Sequence, residues 1–213
     1  MKSDIIDYYI RLADRILPHL KDRPFTMINY PDGYGQKRYF RKQRPDDAPD
    51  FVETFTMPSE EKGQIDWCLV NNKATLVWMV NRSCIEMHSW TVRVPDIVHP
   101  DIAMIDLDPN GSAGFKEAVT VAKAYGAILQ ELNIKSYPKT SGATGIHICI
   151  PLAPKYTYDE LKAFLAKIST PVQDSFPKIT TTQRIISKRG STILLDYLQN
   201  APGKTLPPPY SLR

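Results

Sequence analysis

Ile102-Ala103-Met104-Ile105-Asp106-Leu107-Asp108-Pro109 is the stretch on which the fold of this chain turns. Four apolar residues predict a short buried strand, and a strand's period of two sets Asp106 and Asp108 on one face with Leu107 on the other. Pro109-Asn110-Gly111 closes the element with turn residues. Two carboxylates at the end of a strand suit a hard divalent cation, magnesium or manganese, which takes oxygen ligands and keeps positions for water or phosphate. A plainer reading makes them caps of the turn or helix that follows. Farther along, Thr192-Ile193-Leu194-Leu195-Asp196 repeats the pattern of an apolar strand ending in an acid. Asp196 either joins the first two acids around the same ions or simply ends its strand before Tyr197.

Between these strands lies Thr140-Ser141-Gly142-Ala143-Thr144-Gly145-Ile146-His147-Ile148. Gly142 and Gly145 allow a tight backbone approach, and Ser141, Thr144 and the loop amides can donate to a triphosphate. His147, in an apolar strand, is either a phosphate donor or a core histidine with its partners satisfied. The loop is not a Walker A motif, because G-x-x-x-x-G-K-[ST] is absent.

Working outward, Ile5, Ile6, Tyr9, Ala13, Ile16, Leu17 and Leu20 share one face of a first helix, capped by Ser3 or Asp4 and ending before Pro24. A short extended segment at residues 25–29 enters the Pro31-Asp32-Gly33 turn. Residues 67–70 and 75–80 read as short strands around Asn71-Asn72, and residues 84–94 as a strand after a helical turn. A second helix is predicted over residues 112–132 and a third over 158–168; residues 134–137, 146–150 and 192–195 are further strands. Residues 203–213 are neither helix nor free strand and form an extended tail or the stump of a longer domain. Helices mixed with short strands and no repeat or linker predict an α+β or α/β fold of one domain, or of two closely packed lobes.

Of the 213 residues, 42% are apolar and 23% charged, enough to build a substantial core and too few charges for a disordered chain. A net charge of +4 is compatible with a nucleic-acid partner without requiring one. Cys68, Cys84 and Cys149 lack paired spacing, which predicts reduced thiols, a cytoplasmic setting and no structural zinc. No secretory signal pattern and no apolar run of membrane-spanning length is present.

Basic residues cluster at residues 36–44, where Lys37, Arg38, Arg41, Lys42 and Arg44 surround Tyr39 and Phe40. That mixture suits phosphates and an unstacked base, with Phe40 the first choice for stacking; the competing account is a core aromatic beside a solvated charged face. Arg184, Lys188 and Arg189 form a second cluster just before the Asp196 strand, and Lys204 and Arg213 extend the basic surface. No base-reading pattern is visible, so sequence would be read by template pairing.

Taken in chain order, Leu17-Pro18-His19-Leu20, Tyr30-Pro31-Asp32-Gly33, Met87-His88-Ser89-Trp90, Asp106-Leu107-Asp108-Pro109, Ser141 through His147, Leu195-Asp196-Tyr197-Leu198-Gln199-Asn200 and Pro209-Tyr210-Ser211-Leu212-Arg213 span nearly the whole chain. Together they resemble the polymerase domain of bacterial ligase D and related archaeal end-joining polymerases, within the archaeo-eukaryotic primase superfamily. The resemblance implies an α+β primase-type catalytic core over residues 1–213, with mixed and antiparallel sheets and flanking helices, shorter than the usual family domain at both ends. It implies a DNA-directed nucleotidyltransferase that fills or extends broken DNA ends in non-homologous end joining, with ribonucleotides preferred. Asp106 and Asp108 would bind both of two divalent cations, manganese favoured over magnesium, and Asp196 would complete the primer-side site. Ser141 and His147, with Thr144 and Gly145 in the same loop, would hold the incoming triphosphate. His88 would lie near the sugar, Arg213 would meet phosphate, and Lys188 and Arg189 would lie near the active site. Many relatives carry lysine where this chain has Thr144, a departure that weakens one phosphate contact. Lys2 and Lys21 are candidates for a pocket holding a 5′-phosphate. Implied partners are nucleoside triphosphates, DNA ends or gapped duplexes with a 5′-phosphate, a DNA ligase and an end-bridging protein; the setting is cytoplasmic and nucleoid-associated, without a membrane. The alternatives are a stand-alone primase or gap-filling polymerase, and an inactive subunit that binds DNA ends.

Overall fold

Strand pairing sorts the chain into two sheets, each packed by helices on one face. The computed structural model describes residues 1–59 and 63–213. They form two units, residues 1–97 with 205–213, and residues 98–204. The fold is α+β, as the resemblance implies.

In the first unit, helix α1 (Lys2–Leu20) is followed by strands β1 (Pro24–Asn29), β2 (Tyr39–Arg41), β3 (Thr54–Ser59) and β4 (Gly63–Leu69), helix α2 (Lys73–Asn81) and strand β5 (Cys84–Ser89). Strand β1 pairs antiparallel with β2, β4 and β5, and β3 pairs antiparallel with β4. Tyr9, Ala13, Ile16 and Leu20 of α1 and Leu76, Met79 and Val80 of α2 share one core with Phe25 and Met27 of β1 and Met87 of β5. The opposite face of β1 and β5 therefore carries Thr26, Ile28, Glu86 and His88.

Three expectations for this unit change. Met1 rather than Ser3 or Asp4 holds the N-cap position of α1; Asp4, at the third helical position, closes the cap by accepting from the Met1 amine. Residues 75–80 are helical, not a strand: the Asn72 side chain accepts from the Thr75 amide at 2.8 Å and caps α2. An apolar run without alternation reads equally well as either element, so the cap decides. Strand β5 ends at Ser89 rather than continuing to residue 94. Residues 205–213 form an extended tail: Leu206 exchanges backbone hydrogen bonds with Ser89, the Met87 amide donates to Ser211 Oγ, and the Leu212 amide donates to the Tyr9 hydroxyl.

The second unit contains β6 (Ile102–Pro109), α3 (Phe115–Glu131), β7 (Tyr137–Thr140), β8 (Ile146–Pro151), α4 (Tyr158–Ser175), β9 (Thr180–Thr181) and β10 (Ile193–Asp196). The strand order is β7-β8-β6-β10-β9, antiparallel except for the parallel β9–β10 pair. Ala103, Ile105 and Leu107 of β6, Ile146, Ile148 and Ile150 of β8, and Ile193 and Leu195 of β10 pack on Ala118, Val121, Tyr125 and Leu129 of α3 and Leu161, Leu165, Ile168 and Val172 of α4. Residues 134–137 do not make the expected strand. The Ile134 amide returns to Leu129 O at 2.8 Å to close α3, and pairing with β8 begins only at Tyr137. Helix α4 runs past residue 168 because Val172 continues its apolar stripe.

Two contacts fix the ends of this sheet. Strand β10 stops at Asp196, and the buried Asn200 side chain continues its work on β6: Oδ1 accepts from the Met104 amide at 2.9 Å and Nδ2 donates to Met104 O at 2.6 Å. Gly145 presses against β6 so closely that a Cβ there would sit 2.0 Å from Leu107 O. Among the described residues no helix is long and apolar enough to cross a membrane, and Cys68, Cys84 and Cys149 are free.

Asn200→Asp preserves shape but sets an acceptor against a buried carbonyl, so urea denaturation is expected to show about 2 kcal/mol less stability. Gly145→Ala must push the loop off β6 and is expected to cost about 3 kcal/mol in the same measurement; a wild-type midpoint for either variant would remove the corresponding contact from this account.

Candidate active site

Register places the acids. Asp196 is the direct cross-strand partner of Asp106, and His147 is the partner of Asp106 on its other side. Lys139 in turn faces His147, so Lys139, His147, Asp106 and Asp196 form one row across β7, β8, β6 and β10. Asp108 lies two residues along β6 on the same face as Asp106. The opposite face is the apolar one under α3 and α4, so the three carboxylates are directed away from the core.

Three like charges on adjacent strands repel, and each carboxylate has its own cationic or imidazole neighbour. Arg189 Nη1 donates to Asp108 Oδ2 at 2.9 Å, Arg184 Nη2 stands 4.0 Å from Asp196 Oδ2, and His147 Nε2 is 3.6 Å from Asp106 Oδ1. The Leu198 amide also donates to Asp196 Oδ1 at 3.0 Å, so this acid ends its strand as well as facing its partner. Among the described residues no three His, Cys, Asp or Glu side chains are gathered closely enough to hold a metal. The backbone thus aligns the acidic trio while its side chains are engaged by Arg189, Arg184 and His147. Three oxygen-only ligands on one sheet face nonetheless fit a hard divalent cation in donor type.

The glycine-containing loop is organised by Ser141. Its Oγ accepts from the Ala143 amide at 3.2 Å and the Gly145 amide at 3.1 Å, while its own amide donates to Gly145 O at 2.9 Å. Gly142, at φ +86°, supplies the left-handed residue that this tight loop needs. Thr144 is exposed on the loop, and His147 is buried at the start of β8 with Nδ1 3.4 Å from Lys139 Nζ. The structure bears out the satisfied buried histidine, placed beside Asp106; its role toward phosphate belongs to the proposal below.

Arg189, expected near phosphate, uses its guanidinium three ways: besides Asp108, Nε donates to Gln183 O and Nη2 to Arg184 O. Lys188 is exposed on the short 3-10 turn Ile186–Lys188.

A second constellation lies in the first unit, on the helix-free face of its sheet. Phe40 is the cross-strand partner of Ile28, which is the partner of Glu86. Phe40 is 62% exposed with the Arg38 guanidinium 5.3 Å from its ring centroid, so it is not the core aromatic of the competing account. His88 Nε2 is 3.2 Å from Glu86 Oε2, Arg213 Nε is 3.5 Å from the same oxygen, and Arg38 Nη1 is 3.5 Å from Oε1. The Tyr30 hydroxyl donates to Oε1 as well. Burial alone would raise the Glu86 pKa; the His88 and Tyr30 hydrogen bonds and the His88 and Arg213 charges outweigh it and hold the carboxyl at about 2.

Phe40, His88 and Arg213 are therefore brought together, and Asp106, Asp108, Asp196, Ser141, Gly145, His147 and Arg189 form the other group. Lys2 and Lys21 are not brought together: they stand at opposite ends of α1, about 28 Å apart at 1.5 Å per residue, too far for one phosphate. Glu86, Tyr30 and Lys139 were missed as site residues. A lone acid inside the apolar run Cys84-Ile85-Glu86-Met87 was the available signal for Glu86, since a buried charge requires partners.

The comparisons agree along the full chain. The family model described as LigD, primase-polymerase domain, matches residues 1–213. The bifunctional non-homologous end joining protein LigD of Bacillus subtilis is 39% identical over 213 residues, covering 100% of this chain and 34% of that protein. The multifunctional LigD of Mycolicibacterium smegmatis is 28% identical over 214 residues, covering 100% of this chain and 28% of that protein. The chain thus spans about a third of the length of such relatives. The solved polymerase domain of Mycobacterium tuberculosis ligase D in complex with DNA superimposes with a TM-score of 0.92 at 27% identity, over 100% of this chain and 77% of that one. On this evidence the chain belongs to the LigD primase-polymerase domain family.

Proposed function

We propose that the chain is a metal-dependent nucleotidyltransferase that extends or fills broken DNA ends in non-homologous end joining. The observation that carries this reading is the register that aligns Asp106, Asp108 and Asp196 on one face of a sheet, opposite its apolar core. Asp106 and Asp108 would hold two divalent cations, manganese or magnesium, with Asp196 completing the primer-side site. Such ions supply charge neutralisation on the phosphates and a lowered pKa for the attacking 3′-hydroxyl.

The chain's own residues do the rest. His147 steadies Asp106 from the neighbouring strand. Ser141 takes up the Ala143 and Gly145 amides and so fixes the turn, its hydroxyl proton and the exposed Thr144 hydroxyl being the loop's donors to triphosphate oxygens. Arg189, Arg184 and Lys188 supply positive charge beside the acids; Arg189 exchanges Asp108 for phosphate when the triphosphate is bound. His88 meets the sugar, Arg213 a phosphate, and the exposed Phe40 ring stacks on a base. The bond made is from the primer 3′-oxygen to the α-phosphorus; the bond broken releases pyrophosphate.

Nucleoside triphosphates, ribonucleotides before deoxyribonucleotides, and recessed or gapped DNA with a 5′-phosphate are the proposed substrates. The relatives are bifunctional and multifunctional end-joining proteins, which supports a ligase activity as partner; an end-bridging protein and a cytoplasmic, nucleoid-associated setting follow from the same role. Duplex contacts run through backbone phosphates rather than base edges, because the cations of residues 36–44 surround aromatics without a base-reading pattern. One observation favours a DNA-end-binding subunit without turnover: the acids are engaged by Arg189, Arg184 and His147.

Extension of a gapped duplex carrying a 5′-phosphate, run with ribo- and deoxyribonucleotides and with manganese and magnesium, decides between these readings. Asp106→Asn and Asp108→Asn are expected to lower the extension rate by about a thousandfold while DNA affinity changes by less than about threefold. Wild-type protein that binds the duplex but adds no nucleotide with either metal would select the binding subunit. Arg41, exposed on β2, is expected to act through phosphate alone: Arg41→Ala should weaken DNA of every sequence equally and reduce the slope of log affinity against log salt by about 1. A sequence-dependent loss would assign Arg41 to base recognition instead.

A further inference from the structure

The roles above leave Glu86 unused, although among the described residues of the first unit it is an acid enclosed by four partners. It is 2% exposed, and a buried carboxylate is tolerated only where charge and hydrogen bonds surround it. Its partners come from four places: Tyr30 just after β1, Arg38 just before β2, His88 two residues along β5, and Arg213 in the tail. Three of these carry cationic or ionisable groups whose own residues are half-buried or exposed. An ionised carboxylate only accepts, so the His88 ring is held with Nε2–H toward Glu86 and keeps Nδ1 as its other polar atom.

We infer that Glu86 is a positioning residue: a buried counter-ion that gathers His88, Arg38 and Arg213 into one set on the helix-free face of the first unit's sheet, ready for a nucleoside triphosphate. The inference rests on the proposed roles of His88 and Arg213 and adds a residue that touches no substrate. Phe40 belongs to the same set by register, because it shares a cross-strand row with Glu86 through Ile28. Without the carboxylate, Arg38 and Arg213 would repel one another and His88 would lose the partner that orients its ring. The low pKa of Glu86, about 2, keeps this charge present at every working pH. A carboxylate serving only to stitch the tail to β5 is the alternative, and it makes a different prediction: its removal should lower stability and impair every ligand alike.

The test compares wild-type protein with Glu86→Gln, His88→Ala and the double variant. It reads equilibrium binding of γ-labelled fluorescent ATP without primer, binding of the gapped duplex, and thermal melting. Glu86→Gln is expected to weaken ATP about tenfold while duplex affinity stays within about twofold. Because Glu86 acts through His88 and also holds Arg38 and Arg213, the double variant should bind ATP worse than either single variant but by clearly less than the product of the two losses. Unchanged ATP binding in Glu86→Gln, losses that multiply in the double variant, or parallel losses for ATP and duplex would each overturn the inference. Should Glu86→Gln not fold, Tyr30→Phe keeps the ring and removes only the hydroxyl bonded to Glu86; an ATP loss of about threefold supports the inference and an unchanged affinity overturns it. Wild-type protein that binds ATP but extends no primer defeats the proposed function and leaves the role of Glu86 standing, whereas wild-type protein that binds no ATP defeats both.

Discussion

The period of two along β6 is the constraint from which the second unit follows. Ala103, Ile105 and Leu107 must be buried under α3 and α4, and in a strand that decision sends Asp106 and Asp108 to the other face. A slip of one residue against β8 or β10 would bury the acids and expose three core side chains, so hydrophobic burial specifies the register with great force. The same register aligns Asp196 and His147 with Asp106. The geometry of the polar face is thus a by-product of packing on the apolar face, and it is as rigid as that core.

Electrostatics then divides the two units. In the second, three carboxylates on the face opposite the helices, Asp196 among them buried, are met by Arg189, Arg184 and His147. The first unit inverts the pattern: one buried acid, Glu86, collects Arg38, His88 and Arg213. The result is an anion buried at the centre with cations at its rim.

The backbone devices around the polar face are local and cheap in residues. Asn200 replaces a strand residue with a side-chain amide where β10 ends, and Gly145 gives up a Cβ so that the Ser141 loop can rest on β6. Both stand inside the motifs by which the family is recognised, and both have a structural reason to be there apart from any contact with substrate.

Amino-acid sequence alone determined the strands around residues 102–107, 146–150 and 192–195, the helices over residues 5–20 and, to within three residues at its start, 112–132, and the face on which Asp106 and Asp108 stand. These follow from periodicity, which is a local property set by burial. It did not determine residues 75–80, where an unalternating apolar run is decided by the Asn72 cap, nor residues 134–137, where strand pairing waits on a partner across the sheet. Only the tertiary structure decided that Asp196 pairs with Asp106, that Arg189 reaches Asp108, and that Phe40, Glu86, His88 and Arg213 share a surface. Those are contacts between segments far apart in the chain, and no local pattern encodes them. Burial tells each residue which way to face; only the pairing of strands tells it what it will meet there.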